Sequence, residues 1–175
     1  ILFIFISGIS CSLSRSNIKR GIRVLVIALA ITLVTHLYNP AFGIKFGILH
    51  FLGVSMLLFP VIRRVNPIIQ LAAGTLIIAS RHLLSGISVG YDYLFPFGIH
   101  SSSFISSDYY PMIPWFGLFL YGSAVGILLY EYGRSPFNIS FRENIINKIG
   151  KNTLLVYILH QPAIILVLYC LSLLR

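Results

Sequence analysis

Three residues at the middle of an apolar stretch, His160-Gln161-Pro162 within LLVYILHQPAIILVLY, combine a titratable ring, an amide and a break in the helical hydrogen-bond ladder. A histidine there can take a proton from a hydroxyl or amine, or carry an acyl group itself. Gln161 or a backbone N–H can then stabilise an oxyanion. His50, in FGILHFLG, is a second polar ring on an apolar stretch, and Asp108, in SSDYYPMIPW, is one of only four carboxylates in the chain. A carboxylate at that point can orient a histidine or accept hydrogen bonds from sugar hydroxyls. Arg15, Lys19, Arg20 and Arg23 form a basic cluster that anchors topology and touches anionic lipid, and is also a candidate contact for an anionic cosubstrate. Plainer readings stand beside these. Either histidine is equally a hydrogen-bonded link between helices, and Asp108 is equally a helix cap or Asx-turn residue.

The elements that must position these groups are set by composition. The 175 residues are 57% hydrophobic and 10% charged, with mean hydropathy +0.91, against about 25% charged for a soluble domain. That predicts an all-α, polytopic transmembrane helix bundle forming a single integral-membrane domain over 1–175. Cys11 and Cys170 lie in apolar segments with no CxxC and no Cys/His cluster, so neither a disulfide nor a metal site is expected. The net charge of +9 reads as loop asymmetry rather than nucleic-acid binding. The chain opens on ILFIFISG, already apolar and without an initiator Met, so a further helix is expected upstream of Ile1.

Hydrophobic runs and turn signals predict six spans, at 1–13, 21–37, 46–62, 66–84, 113–130 and 151–174. Asn66-Pro67 is a cap and first-turn pair for the fourth. Gly117, Gly122 and Gly126 give the fifth a close-packing face. The segment 85–111 is a long loop rich in Gly, Ser and Tyr, and 131–150 is a polar connector. The loops after the first, third and fifth spans hold Arg15, Lys19, Arg20, Arg23, Arg63, Arg64, Arg134, Arg142, Lys148 and Lys151, ten of the thirteen basic residues. The opposite face holds Lys45, Arg81 and Arg175. The basic face is therefore expected to be cytoplasmic, and 85–111 external. His50 then lies roughly 6 Å below the external interface and His160 roughly 12 Å in from the cytoplasmic end. Tyr91, Tyr93, Tyr109 and Tyr110 are candidates for a sugar-stacking surface.

FIFISGIS followed by a basic connector, FGILHFLGVSMLL, DYYPMIPWFGLFLYG and IGKNTLLVYILHQP occur in this order. Together they resemble the small prokaryotic membrane proteins related to the heparan-alpha-glucosaminide N-acetyltransferase catalytic domain, within the transmembrane acyltransferase superfamily. The resemblance implies transfer of an acyl group, typically acetyl from cytosolic acetyl-CoA, to an extracytoplasmic sugar or glycolipid acceptor. It implies site roles for His50, for Asp108 with Pro111, Pro114 and Trp115, and for His160-Gln161-Pro162. Arg20 and Arg23 match the Arg-rich connector that faces acyl-CoA. By the same resemblance, the superfamily's principal catalytic histidine, which belongs to the first part of the domain, is expected upstream of Ile1. Membrane lipids are the expected surroundings, and a homo-oligomer is left open. Two other classes compete. A small transporter or flippase would place its substrate site at the His160-Gln161-Pro162 break, though no paired broken helix marks an internal repeat. A structural subunit would use its histidines only to join helices.

Overall fold

The computed structural model describes residues 1–14, 16–38, 43–84 and 89–130, all within one compact unit, Ile1–Pro136. Among these residues there are five α-helices and no strand. They are α1 (Leu2–Leu13), α2 (Asn17–Tyr38), α3 (Ile48–Ile62), α4 (Pro67–Leu84) and α5 (Met112–Tyr130), with a 3-10 turn at Phe95–Phe97 between the last two. Three of them, α2, α4 and α5, are long and apolar enough to cross a membrane. The 22 residues of α2 make about 33 Å of helix, against a hydrocarbon core of about 30 Å. By contrast α1 and α3 are apolar but short, at 12 and 15 residues. Of the six expected spans, five therefore correspond to helices, three of them of spanning length. The sixth, with His160, Gln161 and Pro162, lies outside the described residues.

Small residues set how the helices meet. A side chain on Gly122 would strike the Phe5 carbonyl, and one on Gly8 the Phe119 carbonyl, so α1 and α5 approach backbone to backbone. A Cβ on Gly74 would come within 2.9 Å of the Gly117 carbonyl, which fixes the α4–α5 crossing in the same way. On the other side of the unit, a Cβ on Gly21 would lie 3.0 Å from the Gly53 carbonyl and 3.1 Å from Leu57 Cγ. The start of α2 thus packs against the second half of α3, and the two run antiparallel. One end of this pair carries Lys19, Arg20 and Arg23 on α2 and Arg63-Arg64 after α3. The other carries His50.

Polar side chains close the helix ends. Asn66 Oδ1 accepts the Ile68 N–H at 2.9 Å, the cap expected ahead of Pro67. Gln70, 2% exposed, donates through Nε2 to the Ile62 and Val65 carbonyls, both at 2.9 Å. Its Oε1 accepts the Ser123 hydroxyl at 2.8 Å. One side chain therefore ties the Ile62 carbonyl at the end of α3, and the Val65 carbonyl of the turn that follows, to α4 and α5, where a helix end leaves carbonyls without an intrahelical partner. Asn17 does the same for α1, donating to the Cys11 carbonyl at 2.8 Å.

Two boundaries differ from the sequence reading. Helix α2 begins at Asn17, four positions ahead of the expected Gly21, so Lys19, Arg20 and Arg23 sit on its first two turns rather than in a connector. Long basic side chains tolerate that placement because their heads reach past the apolar body of the helix. Helix α3 begins at Ile48 rather than Phe46, because Phe46 is engaged elsewhere. It forms a parallel bridge with Tyr109 and accepts the Tyr110 N–H at 2.9 Å.

Candidate functional site

That bridge brings His50 and Asp108 to the same place. Asp108 Oδ2 accepts the Ile48 N–H at 3.0 Å. The same oxygen lies where a side chain on residue 47 would project, so Gly47 is required by close approach. Asp108 thus caps a helix sixty positions away in sequence. The cap reading is therefore realised, but between distant segments. Burial pushes the Asp108 carboxyl above the usual carboxylate range, and the Ile48 hydrogen bond offsets this in part.

His50 is the third residue of α3 and is 5% exposed. Its Nδ1 accepts the Gly47 N–H at 3.3 Å, and its Nε2 is 3.1 Å from Thr32 Oγ1 on α2. An acceptor role at Nδ1 places the proton of the neutral ring on Nε2, so Nε2–H donates to Thr32. His50 and Asp108 therefore share one task, each satisfying a backbone N–H at the start of α3. Thr32 did not stand out in the sequence. A hydroxyl on an otherwise apolar helix carries little signal, and its partner lies on another helix. The one available cue was a threonine inside a run of Ile, Leu and Val.

The segment 89–111 folds over this point through ring packing. Phe46 lies 5.7 Å from the His50 ring and 6.2 Å from Phe95. Phe95 stacks on Phe104 at 5.7 Å, and Phe104 on His100 at 4.7 Å. Lys45 Nζ sits 4.5 Å over the Phe104 ring, a cation–π contact at the rim of the cluster. Tyr109 donates its hydroxyl to the Phe95 carbonyl at 2.6 Å, and burial pushes that phenol up to about 12. Asp92 Oδ1 accepts the Ser101 N–H at 2.8 Å, and the hydrogen bonds from Ser101 hold its carboxyl below the usual range. The four tyrosines divide into two kinds. Tyr91 and Tyr93 form an exposed pair with ring centroids 6.3 Å apart. Tyr109 packs into the cluster, and Tyr110 lies 5.4 Å from Trp115.

The remaining sequence candidates are dispersed. Arg20 and Arg23 are exposed at the far end of α2 from Thr32, so His50 and Asp108 are brought together while the basic pair is not. His160 and Gln161 lie outside the described residues, as does Arg15.

The family model for the catalytic domain of heparan-alpha-glucosaminide N-acetyltransferase matches residues 1–162. No curated protein and no solved structure matches the chain. The chain belongs to the heparan-alpha-glucosaminide N-acetyltransferase catalytic-domain family, and with its apolar helices it is a membrane protein of an acetyltransferase family.

Proposed function

We propose that this member of the family is a multi-pass acyltransferase of the cell membrane that moves an acyl group, typically acetyl, from cytosolic acyl-CoA to an extracytoplasmic sugar or lipid-linked glycan. The observation that carries the reading is the family match over 1–162. It is supported by the separation of a basic end, with Arg20, Arg23, Arg63 and Arg64, from an end where His50 and Asp108 meet. Acyl-CoA is a polyanion and is drawn to basic surface. Its nucleotide stays at the Arg20/Arg23 side while the thin pantetheine arm carries the thioester inward. The loop 89–111, with its exposed Tyr91/Tyr93 pair, offers aromatic and polar surface suited to a sugar. In the transfer the thioester C–S bond breaks, a C–O or C–N bond forms to the acceptor, and the acceptor's proton ends on the CoA thiol. His160 serves as base or acyl carrier with Gln161 beside it, and His50 and Asp108 shape the acceptor side. The basic end faces the cytoplasm and the Asp108 end the exterior.

The test is acetyl-CoA-dependent labelling of an envelope sugar by the full-length protein in membranes. Labelling disappears in His160→Ala while the protein remains folded. Unchanged acetylation in a well-expressed His160→Ala variant removes His160 from the mechanism. Labelling that requires no acyl-CoA removes the donor.

A further inference from the structure

Both nitrogens of the His50 ring are already committed. Nδ1 accepts the Gly47 N–H at 3.3 Å, and Nε2 is paired with Thr32 Oγ1 at 3.1 Å. A neutral imidazole has one donor and one acceptor nitrogen, so the ring retains no lone pair with which to take a proton from a substrate. The unsatisfied capacity lies one atom further on. Thr32 Oγ1 receives the His50 proton and still has its own hydroxyl proton to give. Among the described residues no other partner of that hydroxyl is found. Thr35 and Thr75 behave differently, returning their hydroxyl protons to the Ile31 and Leu71 carbonyls of their own helices at 2.8 and 2.9 Å. A hydroxyl that accepts a hydrogen bond is polarised into a better donor.

We propose that Thr32 donates a hydrogen bond to the acyl carbonyl oxygen of the bound thioester as that oxygen gains charge, with His50 as the positioning residue that holds and polarises the Thr32 hydroxyl. This rests on the acyl-transfer reading above and deepens it by assigning a group to the developing oxyanion. It makes His50 a positioning residue rather than a group that reacts with substrate. Asp108 takes part indirectly, because its bond to Ile48 fixes the turn from which His50 reaches Thr32.

The experiment compares Thr32→Val, Thr32→Ser, His50→Ala and His50→Gln in the same acetyl transfer assay, together with the nitrogen NMR spectrum of histidine-labelled protein. Removal of one oxyanion donor costs about 10²–10³-fold in kcat. Thr32→Val is expected to lose that much in kcat with little change in the KM for acetyl-CoA, and Thr32→Ser to keep most of the activity. His50→Gln retains an N–H donor near the Nε2 position and is expected to exceed His50→Ala, which a base could not do. The spectrum is expected to show the Nε2–H form at His50. Full activity in Thr32→Val overturns the proposal, as does a His50→Gln variant as inactive as His50→Ala. Full activity in folded His50→Ala removes its positioning role. An Nδ1–H tautomer at His50 overturns the proposal whether or not transfer is seen. Absence of transfer by the unaltered full-length protein, with the Nε2–H form intact, overturns instead the acyl-transfer reading and with it the substrate assigned to Thr32.

Discussion

Asp108 separates a residue kept for folding from one kept for chemistry, because two substitutions split its charge from its hydrogen bond. Asp108→Asn keeps an oxygen for the Ile48 N–H, now 3.0 Å away, and removes the charge. Asp108→Ala removes both and leaves that N–H unpaired, a loss of about 0.5–2 kcal/mol at a helix start. Burial raises the carboxyl above its ordinary 3.8, partly offset by the Ile48 bond. A carboxyl raised in the folded state binds its proton more tightly there than in the unfolded chain. Its favourable contribution is complete below the unfolded value and is lost as pH rises through the folded one. At neutral pH the ionised group therefore costs stability relative to a neutral isostere. Thermal unfolding in detergent, near about pH 4 and about pH 7, should find Asp108→Asn at least as stable as the parent at the higher pH. That advantage should shrink in acid. Asp108→Ala should lie below Asp108→Asn at both, by a few degrees at about 2–4 °C per kcal/mol for a chain of this length. A deficit in Asp108→Asn that widens as pH rises would refute the reasoning. It would mean that the positive end of α3 favours the carboxylate by more than burial disfavours it. Paired with the transfer assay, lost activity in a stabilised Asp108→Asn assigns the charge to chemistry, whereas full activity assigns Asp108 to the cap alone.

Gln70→Ala removes one of the two hydrogen bonds to the Ile62 carbonyl, which keeps the Val65 N–H, and takes this partner from the Val65 carbonyl and the Ser123 hydroxyl, at about 1–3 kcal/mol for a buried group left unpaired. Ser123→Ala removes a single bond, so its melting temperature should fall less; equal losses would show that the Gln70 bonds to the Ile62 and Val65 carbonyls contribute little. Arg20→Gln with Arg23→Gln should raise the KM for acyl-CoA and weaken its dependence on salt, with the acceptor KM unchanged. A change in acceptor KM alone would place the nucleotide elsewhere.

Hydrophobic length and turn residues made most of the helical frame legible, since a chain with so few charges has little choice but to form apolar helices. The Asn66-Pro67 start of α4 and the glycines of α5 are local signals; the first appears as expected, and the glycines do mark close packing but divide between two neighbours, Gly117 against α4 and Gly122 and Gly126 against α1. The boundaries that moved did so through contacts that hydrophobic periodicity does not encode. Asn17 is drawn into α2 by its bond to the Cys11 carbonyl, which carries the basic residues onto the helix. Phe46 is held out of α3 by Tyr109 and Tyr110, more than sixty positions later. The same bridge explains why His50 and Asp108 were recognisable as candidates while their meeting was not. Thr32 was harder still to see, because its role depends on the ring to which it is bonded rather than on any pattern around it. The segment 89–111 read as a polar, tyrosine-rich loop, but its phenylalanines organise it, through packing that has no sequence period.

The start of α3 poses a physical problem whose solution bears on how the site can work. In apolar surroundings its first N–H groups cannot rely on water, and an unpaired one is costly. The chain spends His50 on Gly47 and Asp108 on Ile48 to solve this. A substrate that recruited the Nδ1 of His50 would have to leave the Gly47 N–H unpaired, at about 1–3 kcal/mol, unless it brought a replacement acceptor, whereas a carboxylate has acceptor sites beyond the one given to Ile48. The hydroxyl proton of Thr32 carries no such obligation among the described residues. It can therefore donate to a substrate without dismantling the helix start that positions it. The roles of cap and site therefore do not exclude each other: the capping bonds hold His50 rigid, and Thr32 hands that rigidity to the substrate.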